Sequence, residues 1–145
     1  MSKGNTFEND LLNLVFKNTD AALIGDVIGL RGSSTAGSLY FSLHTADPGE
    51  AGDQTTSEIS YTGYSRVGVA RGAGFTVTNN SVSPAAIVAF NISSGGTGGT
   101  ATHFAIGTAS SGTGKLLYSG TVTPNIVVSS GVTPQLTTAT AVTED

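Results

Sequence analysis

Apolar residues change their spacing once along this chain. Over the first seventeen residues they recur at helical intervals, with Phe7, Leu11, Leu14 and Val15 falling on one face. Asn5 is placed to cap such a helix, and Glu8 stands three residues on, as in a capping box. Asp10 adds negative charge near the positive end of the helix dipole. Lys17 and Asn18 suit the carboxyl end, so the pattern predicts a helix over about residues 6–17. The stretch from Asp20 to Leu30 fits either a second short helix or an irregular packed segment, and residues 31–37 read as a loop.

From residue 39 the pattern alternates. Leu39, Phe41 and Leu43 interleave with Tyr40, Ser42 and His44, the signature of a half-buried strand. Further strands are predicted at 66–71, 75–78, 87–92, 103–108, 116–122, 126–128 and 136–142. Turn sequences separate them: the long run 46–54, Gly72-Ala-Gly74 as a hairpin turn, the glycine-rich 93–100 as a flexible loop, and 110–114. Seven or more short strands punctuated in this way predict a mostly-β fold, a β-sandwich of jelly-roll or Greek-key type with an N-terminal α-helix. Phe41, Phe75, Phe90 and Phe104 fit inward positions. No internal repeat or linker interrupts the 145 residues, which read as a single domain, 1–145, with a helical arm.

Composition sharpens this picture. Only 11% of residues are charged, against roughly 25% in an average domain, and Gly, Ser and Thr take their place. A surface with few charges costs less to desolvate against a neighbour. The net charge of −4 disfavours phosphate backbones, so no direct nucleic-acid partner is expected. Cysteine is absent, which removes disulfides and thiolate metal sites from consideration. No stretch approaches the ~20 apolar residues of a membrane-spanning helix. The opening Met-Ser-Lys-Gly-Asn lacks an apolar secretory region, so no membrane partner and no secretory signal are expected.

Candidate chemistry is sparse. Asp47, Glu50 and Asp53 cluster in one turn after His44 and could offer oxygen ligands to a cation such as Ca²⁺. Their spacing is not that of an EF-hand, and Asp-Pro-Gly is ordinary turn chemistry, so the turn reading is preferred and no metal or cofactor is expected. His44 and His103 fall in strand patterns and read as hydrogen-bonded sheet histidines. No Gly-x-Ser-x-Gly elbow, phosphate loop or opposed carboxylate pair is present. The expectation is a protein that is not an enzyme and has no catalytic residues. Tyr61 and Tyr64, beside Arg66, could anchor an interface or simply cover one end of the sandwich. With the arm residues Phe7 and Leu11 and the loop acids Asp47 and Glu50, they form the candidate partner-binding set.

Several segments resemble one family of small tailed-bacteriophage proteins commonly labelled phage tail fibre protein. They are Ser2-Lys-Gly-Asn-Thr-Phe-Glu-Asn-Asp-Leu-Leu12, Leu43-His-Thr-Ala-Asp-Pro-Gly-Glu-Ala-Gly-Asp-Gln54, Tyr61-Thr-Gly-Tyr64 with Arg66-Val67, Ala101-Thr-His-Phe104, Gly107-Thr-Ala-Ser-Ser-Gly112, Lys115-Leu-Leu-Tyr118 and Gly120-Thr-Val-Thr-Pro124. The resemblance spans nearly the whole chain. It implies a structural component of the virion, assembled in the host cytoplasm with capsid or tail subunits as partners, and a homo-oligomer. It transfers no catalytic residue. Within that class, a short chain without stalk or repeat also looks similar to capsid decoration (cement) proteins, which stabilise an assembled shell by binding it. Decoration is the first expectation on these physical grounds, and a tail fibre or collar appendage is the alternative that the family label favours. A carbohydrate-binding module is a remoter alternative, weakened by the absence of tryptophan.

Overall fold

A computed structural model describes residues 3–21 and 35–144. The ambiguous segment 20–30 and the loop at 31–37 fall largely outside the described residues. The chain divides into two compact units that alternate along the sequence. Unit 1 takes residues 1–38, 69–87 and 137–145, and unit 2 takes 39–68 and 88–136.

Unit 1 begins with helix α1 (Asn5–Leu12), which continues as a π-helical turn over Asn13–Lys17. The predicted cap is displaced by one residue. Gly4 occupies the N-cap, and its carbonyl accepts from the backbone N–H of Phe7 (2.8 Å) and Glu8 (3.1 Å), so Asn5 is already helical. Glu8 makes no reciprocal capping bond. The buried face also differs from the predicted one. Leu12 and Phe16 are fully buried, whereas Phe7 is 39% exposed and Leu11, Leu14 and Val15 are half-buried. Leu12 and Phe16 stand four residues apart and share one face, on which the wider π-turn carries Phe16 inward. There Phe16 meets Phe75 edge-on, with ring centroids 5.0 Å apart.

The carboxyl end of this helical segment is closed by Arg71. Its guanidinium donates to the carbonyls of Leu14 (2.6 Å), Val15 (2.6 Å) and Ala36 (3.0 Å), two of which the helix leaves without partners. Asn18 ends the segment in the left-handed region, φ 59°.

Strands β1 (Ser38–His44) and β2 (Val67–Ala70) contain the first two of the four points where the chain passes from one unit to the other. Gly72-Ala-Gly74 does not make a hairpin between β2 and the next strand, β3 (Phe75–Thr78). Instead β3 pairs antiparallel with β4 (Ser81–Pro84), with Thr78 opposite Ser81 across an Asn79-Asn80 tip. Asn79 has φ 54°, a conformation Asn tolerates better than most side chains. Phe75 and Val82 line the core of this small sheet.

Unit 2 holds the larger core. Strands β5 (Val88–Ala89), β6 (Gly99–Gly107), β7 (Leu116–Val128) and β8 (Gln135–Leu136) complete it, while β9 (Val142–Thr143) pairs with β4 in unit 1. The four-stranded sheet runs β2-β1-β6-β7, and β5 pairs with β8. The β1–β6 register places Phe41 opposite Ile106 and Leu43 opposite Phe104. Phe41 and Phe104 stack at 6.4 Å, and the buried Phe90, Ile59, Val122, Val128 and Leu136 fill in around them. The segments predicted at 116–122 and 126–128 are one strand. The segment predicted at 136–142 is instead the end of β8, a turn and the start of β9, which belong to different sheets. Among the described residues these are antiparallel sheets with one N-terminal helical segment, the mostly-β class that the alternation implies. Among the described residues no helix is long and apolar enough to cross a membrane.

Candidate functional site

The most elaborate side-chain arrangement lies in unit 2, where the loop after β1 meets the loop between β6 and β7. Arg66 is only 9% exposed. Its Nε and Nη2 donate to the two oxygens of Glu58, at 2.7 and 2.8 Å, in a bidentate pair. The same guanidinium donates to the carbonyls of Ala109 (3.0 Å) and Gly112 (2.8 Å), which fixes the β6–β7 loop. Tyr64 completes the group. Its hydroxyl donates to Glu58 Oε1 (2.9 Å) and accepts from the backbone N–H of Leu43 (3.1 Å). Burial raises the Tyr64 phenol above its ordinary pKa, while the hydrogen bonds from Arg66 to Glu58 raise that of the guanidinium.

Gln54 braces the same two loops. It is fully buried, its Oε1 accepts from Ala109 N–H (2.9 Å), and its backbone N–H donates to Thr113 (2.9 Å). The side chain occupies a slot that exists because Gly107 and Gly114 carry no Cβ; an added methyl at either would overlap it. Its Nε2 is the enclosed polar atom that lacks a protein partner among the described residues.

The same contacts show how Tyr61, Tyr64 and Arg66 are placed. All three turn inward. Tyr61 is 6% exposed and donates to the carbonyl of Asn91 (2.9 Å), and its ring meets Tyr64 edge-on at 5.2 Å. Tyr64 in turn stacks on Phe90 at 6.2 Å. They hold loops together, with Tyr61 and Arg66 buried and Tyr64 half-buried. The glycine-rich run at 93–100 is likewise pinned: Ser94 N–H donates to Thr62 O (3.0 Å) and Thr62 N–H to Gly95 O (3.2 Å).

His44 is fully buried at the end of β1. Its Nδ1 lies 2.8 Å from the carbonyl of Thr56, an acceptor, so that nitrogen carries the proton. Nε2 then accepts from the Ser42 hydroxyl at 2.8 Å. Burial lowers the imidazole pKa. Ser42 is buried as completely as His44, so this serine–histidine pair is closed to any substrate. His103, opposite His44 across β1 and β6, has its Nδ1 2.9 Å from the Thr102 hydroxyl.

Asp47 and Glu50 remain at the surface of unit 2. With Gly49 and Leu116, Leu117, Tyr118 and Ser119 of β7, they line an open groove of about 460 Å³. Asp47 Oδ1 accepts from Gly49 N–H (3.0 Å), and Asp53 Oδ1 accepts from the N–H (2.7 Å) and hydroxyl (2.6 Å) of Thr55. The bonds from Thr55 hold the Asp53 carboxyl below its usual pKa. These turns use one carboxylate oxygen each of Asp47 and Asp53. Among the described residues no three His, Cys, Asp or Glu lie close enough to hold a metal. In unit 1, Phe7 presents its ring at the surface, with Leu11 half-buried behind it.

The sequence reading missed Gln54 and Glu58. Two signals pointed to them: glycines at 107 and 114 flanking the β6–β7 loop, and an isolated Glu–Arg couple in a chain with few charges.

Together these features define a structural β protein whose ordered loops are set by buried polar braces. The chain belongs to the family described as podophage GP4 fiber I protein gp80, whose family model matches residues 2–143. It is a bacteriophage virion fibre protein, and its place is in the virus particle. No curated protein matches the sequence.

Proposed function

We propose that this chain is a non-enzymatic fibre subunit of the phage tail, attached to other tail proteins and assembled in the host cytoplasm as a homo-oligomer. The single observation that carries this reading is the fibre-family match, which extends over 2–143. It favours the appendage over the capsid-decoration role that the short, stalkless sequence first suggests. Of the candidate contact residues in unit 2, Asp47 and Glu50 are exposed, and they line one groove with Leu116 and Leu117. Two carboxylates and two leucines lining one groove suit a partner segment that brings Lys or Arg beside an aliphatic side chain. Phe7 and Leu11 form the corresponding candidate contact in unit 1.

Electron microscopy of particles carrying a gold-labelled version of the protein tests the placement. Label at the tail supports the proposal. Label spread over the faces of the head would return the decoration reading and sink this one.

A further inference from the structure

Strand β7 ends the sheet order β2-β1-β6-β7, so among the described residues no strand pairs with its outer edge. Which of its main-chain groups face outward follows from β1. Leu43 N–H donates to the Tyr64 hydroxyl (3.1 Å), and the Leu43 carbonyl accepts from Ile59 N–H (2.9 Å). The main chain of Leu43 therefore faces away from β6. Along an antiparallel ladder the N–H and C=O of successive residues turn to alternate sides, and two opposed residues either exchange both bonds or none. Phe104, opposite Leu43, thus turns its groups toward β7, where Gly120 stands opposite it. Gly120 faces β6, and its neighbours Ser119 and Thr121 present their N–H and C=O to the open edge. Both residues are exposed.

Native proteins guard such edges with charges, prolines, bulges or short strands. The far half of β7 is guarded in this way. Its register slips between Thr121 and Ile126, and Pro124, within the slip, has no N–H to offer. Residues 118–121 are different. They pair one to one with 106–103 and carry neither charge nor proline. Beside them lies the open groove of about 460 Å³, walled by the exposed Asp47 and Glu50. Asp47 Oδ1 accepts from the Ser119 hydroxyl at 3.5 Å, so carboxylate and free edge stand side by side.

Edge and carboxylates together select the occupant. Outward main-chain groups two residues apart match an extended chain, whose own N–H and C=O recur at that spacing. A second copy of this chain, paired about a two-fold axis at Ser119, would bring two Asp47 carboxylates together. A basic segment meets the same carboxylates with opposite charge. We propose that the outer edge of β7 at Ser119 and Thr121 takes up an extended, Lys- or Arg-bearing segment of another virion protein as an added strand. The main chain of that segment pairs with Ser119 and Thr121, and its basic side chain reaches Asp47 and Glu50. This rests on the reading of the groove as a partner contact and adds the mode of recognition.

Proline substitution in the phage tests the pairing. Ser119→Pro removes an outward N–H that takes no part in the β6 ladder, and edge positions of this kind accept proline. Its urea midpoint should stay close to wild type, while incorporation into purified virions, scored by immunoblot, should fall about tenfold. Thr121→Pro should act likewise and serves where Ser119→Pro does not fold. Ser119→Ala keeps the main chain and should incorporate normally. Hydrogen exchange needs no substitution: the Ser119 and Thr121 amides should exchange fast in the isolated chain and slowly in particles. Normal incorporation of a folded proline variant overturns the proposal, as does fast exchange in particles. If Asp47→Asn with Glu50→Gln still lowers incorporation, the groove reading stands and strand addition alone falls; if it does not, both fall. Equal losses from Ser119→Ala and Ser119→Pro overturn it in favour of recognition through the hydroxyl. Slow exchange in an isolated monomer would assign the edge to a segment of this same chain. An oligomer of the isolated protein that Ser119→Pro splits, read by sedimentation, would assign it to a second copy, and either result overturns the proposal.

Discussion

Replacing Arg66 with Met is the sharpest test of the brace in unit 2. The substitution keeps an unbranched stem in a position that is 9% exposed, but deletes every donor. Glu58 would retain only the Tyr64 hydroxyl, and the carbonyls of Ala109 and Gly112 would lose their side-chain donor. The Arg66 side chain is 3% exposed and that of Glu58 16%, so the pair sits in the regime where removing one partner costs about 3–5 kcal/mol. Native stabilities are about 5–15 kcal/mol, so the loss is a large part of the whole. At about 2–4 °C per kcal/mol for a chain of this size, Tm should fall by roughly 10 °C. Removing both charges, as Arg66→Met with Glu58→Leu, should cost less than Arg66→Met alone, because no buried carboxylate is stranded. Urea unfolding of wild type, both single variants and the double variant gives the coupling directly. A loss below about 1 kcal/mol for Arg66→Met, the size of an exposed ion pair, would refute the reasoning.

Further expectations follow from the same geometry. Gly107→Ala should displace Gln54 and destabilise by about 1–3 kcal/mol, read by urea midpoint; an unchanged midpoint would mean the slot is not filled as described. Phe16→Ala should cost about 3–5 kcal/mol, whereas Phe7→Ala, at a 39% exposed ring, should leave thermal unfolding nearly unchanged. His44 binds its proton less readily folded than unfolded. Its contribution is therefore complete above its unfolded value of 6.5 and is lost as pH falls below it, by at most about 1.4 kcal/mol per pH unit. Comparing wild type with His44→Asn at pH 7.5 and pH 5.5, with His103→Asn as control, isolates that slope; equal slopes in all three would contradict the assignment. Asp47→Asn with Glu50→Gln should leave stability intact and reduce incorporation into particles, scored by immunoblot of purified virions.

Much of the fold was legible because it rests on side-chain period. The alternation through Leu39, Phe41 and Leu43 located β1, and all four phenylalanines expected inside are there. What escaped was set by tertiary contact. Asn79-Asn80 is a good turn sequence, but Gly72-Ala-Gly74 offered a stronger glycine signal for the hairpin. Only sheet membership shows that β2 and β3 part company there. The helix face was misjudged because Leu12 and Phe16, four residues apart, form the buried face, and packing against Phe75 rather than local spacing selects it. At the site, Tyr61 and Tyr64 read equally well as anchors or as cover. Their packing against Phe90 and Glu58 is tertiary, and nothing local to Tyr61-Thr-Gly-Tyr64 encodes it. His44 and Ser42 looked like the polar face of a half-buried strand, yet both faces of β1 are covered there.

The alternation of the two units along the sequence constrains how the molecule can be dissected. Each unit is built from separate segments interleaved with those of the other, so no continuous fragment carries either one whole without part of the other. Deleting residues 1–17 to ask whether the arm docks on a partner would also excise Leu12 and Phe16 from the interior of unit 1. Loss of assembly after such a deletion would report collapse of that interior. Point changes at the exposed Phe7 ring put the question to the surface alone.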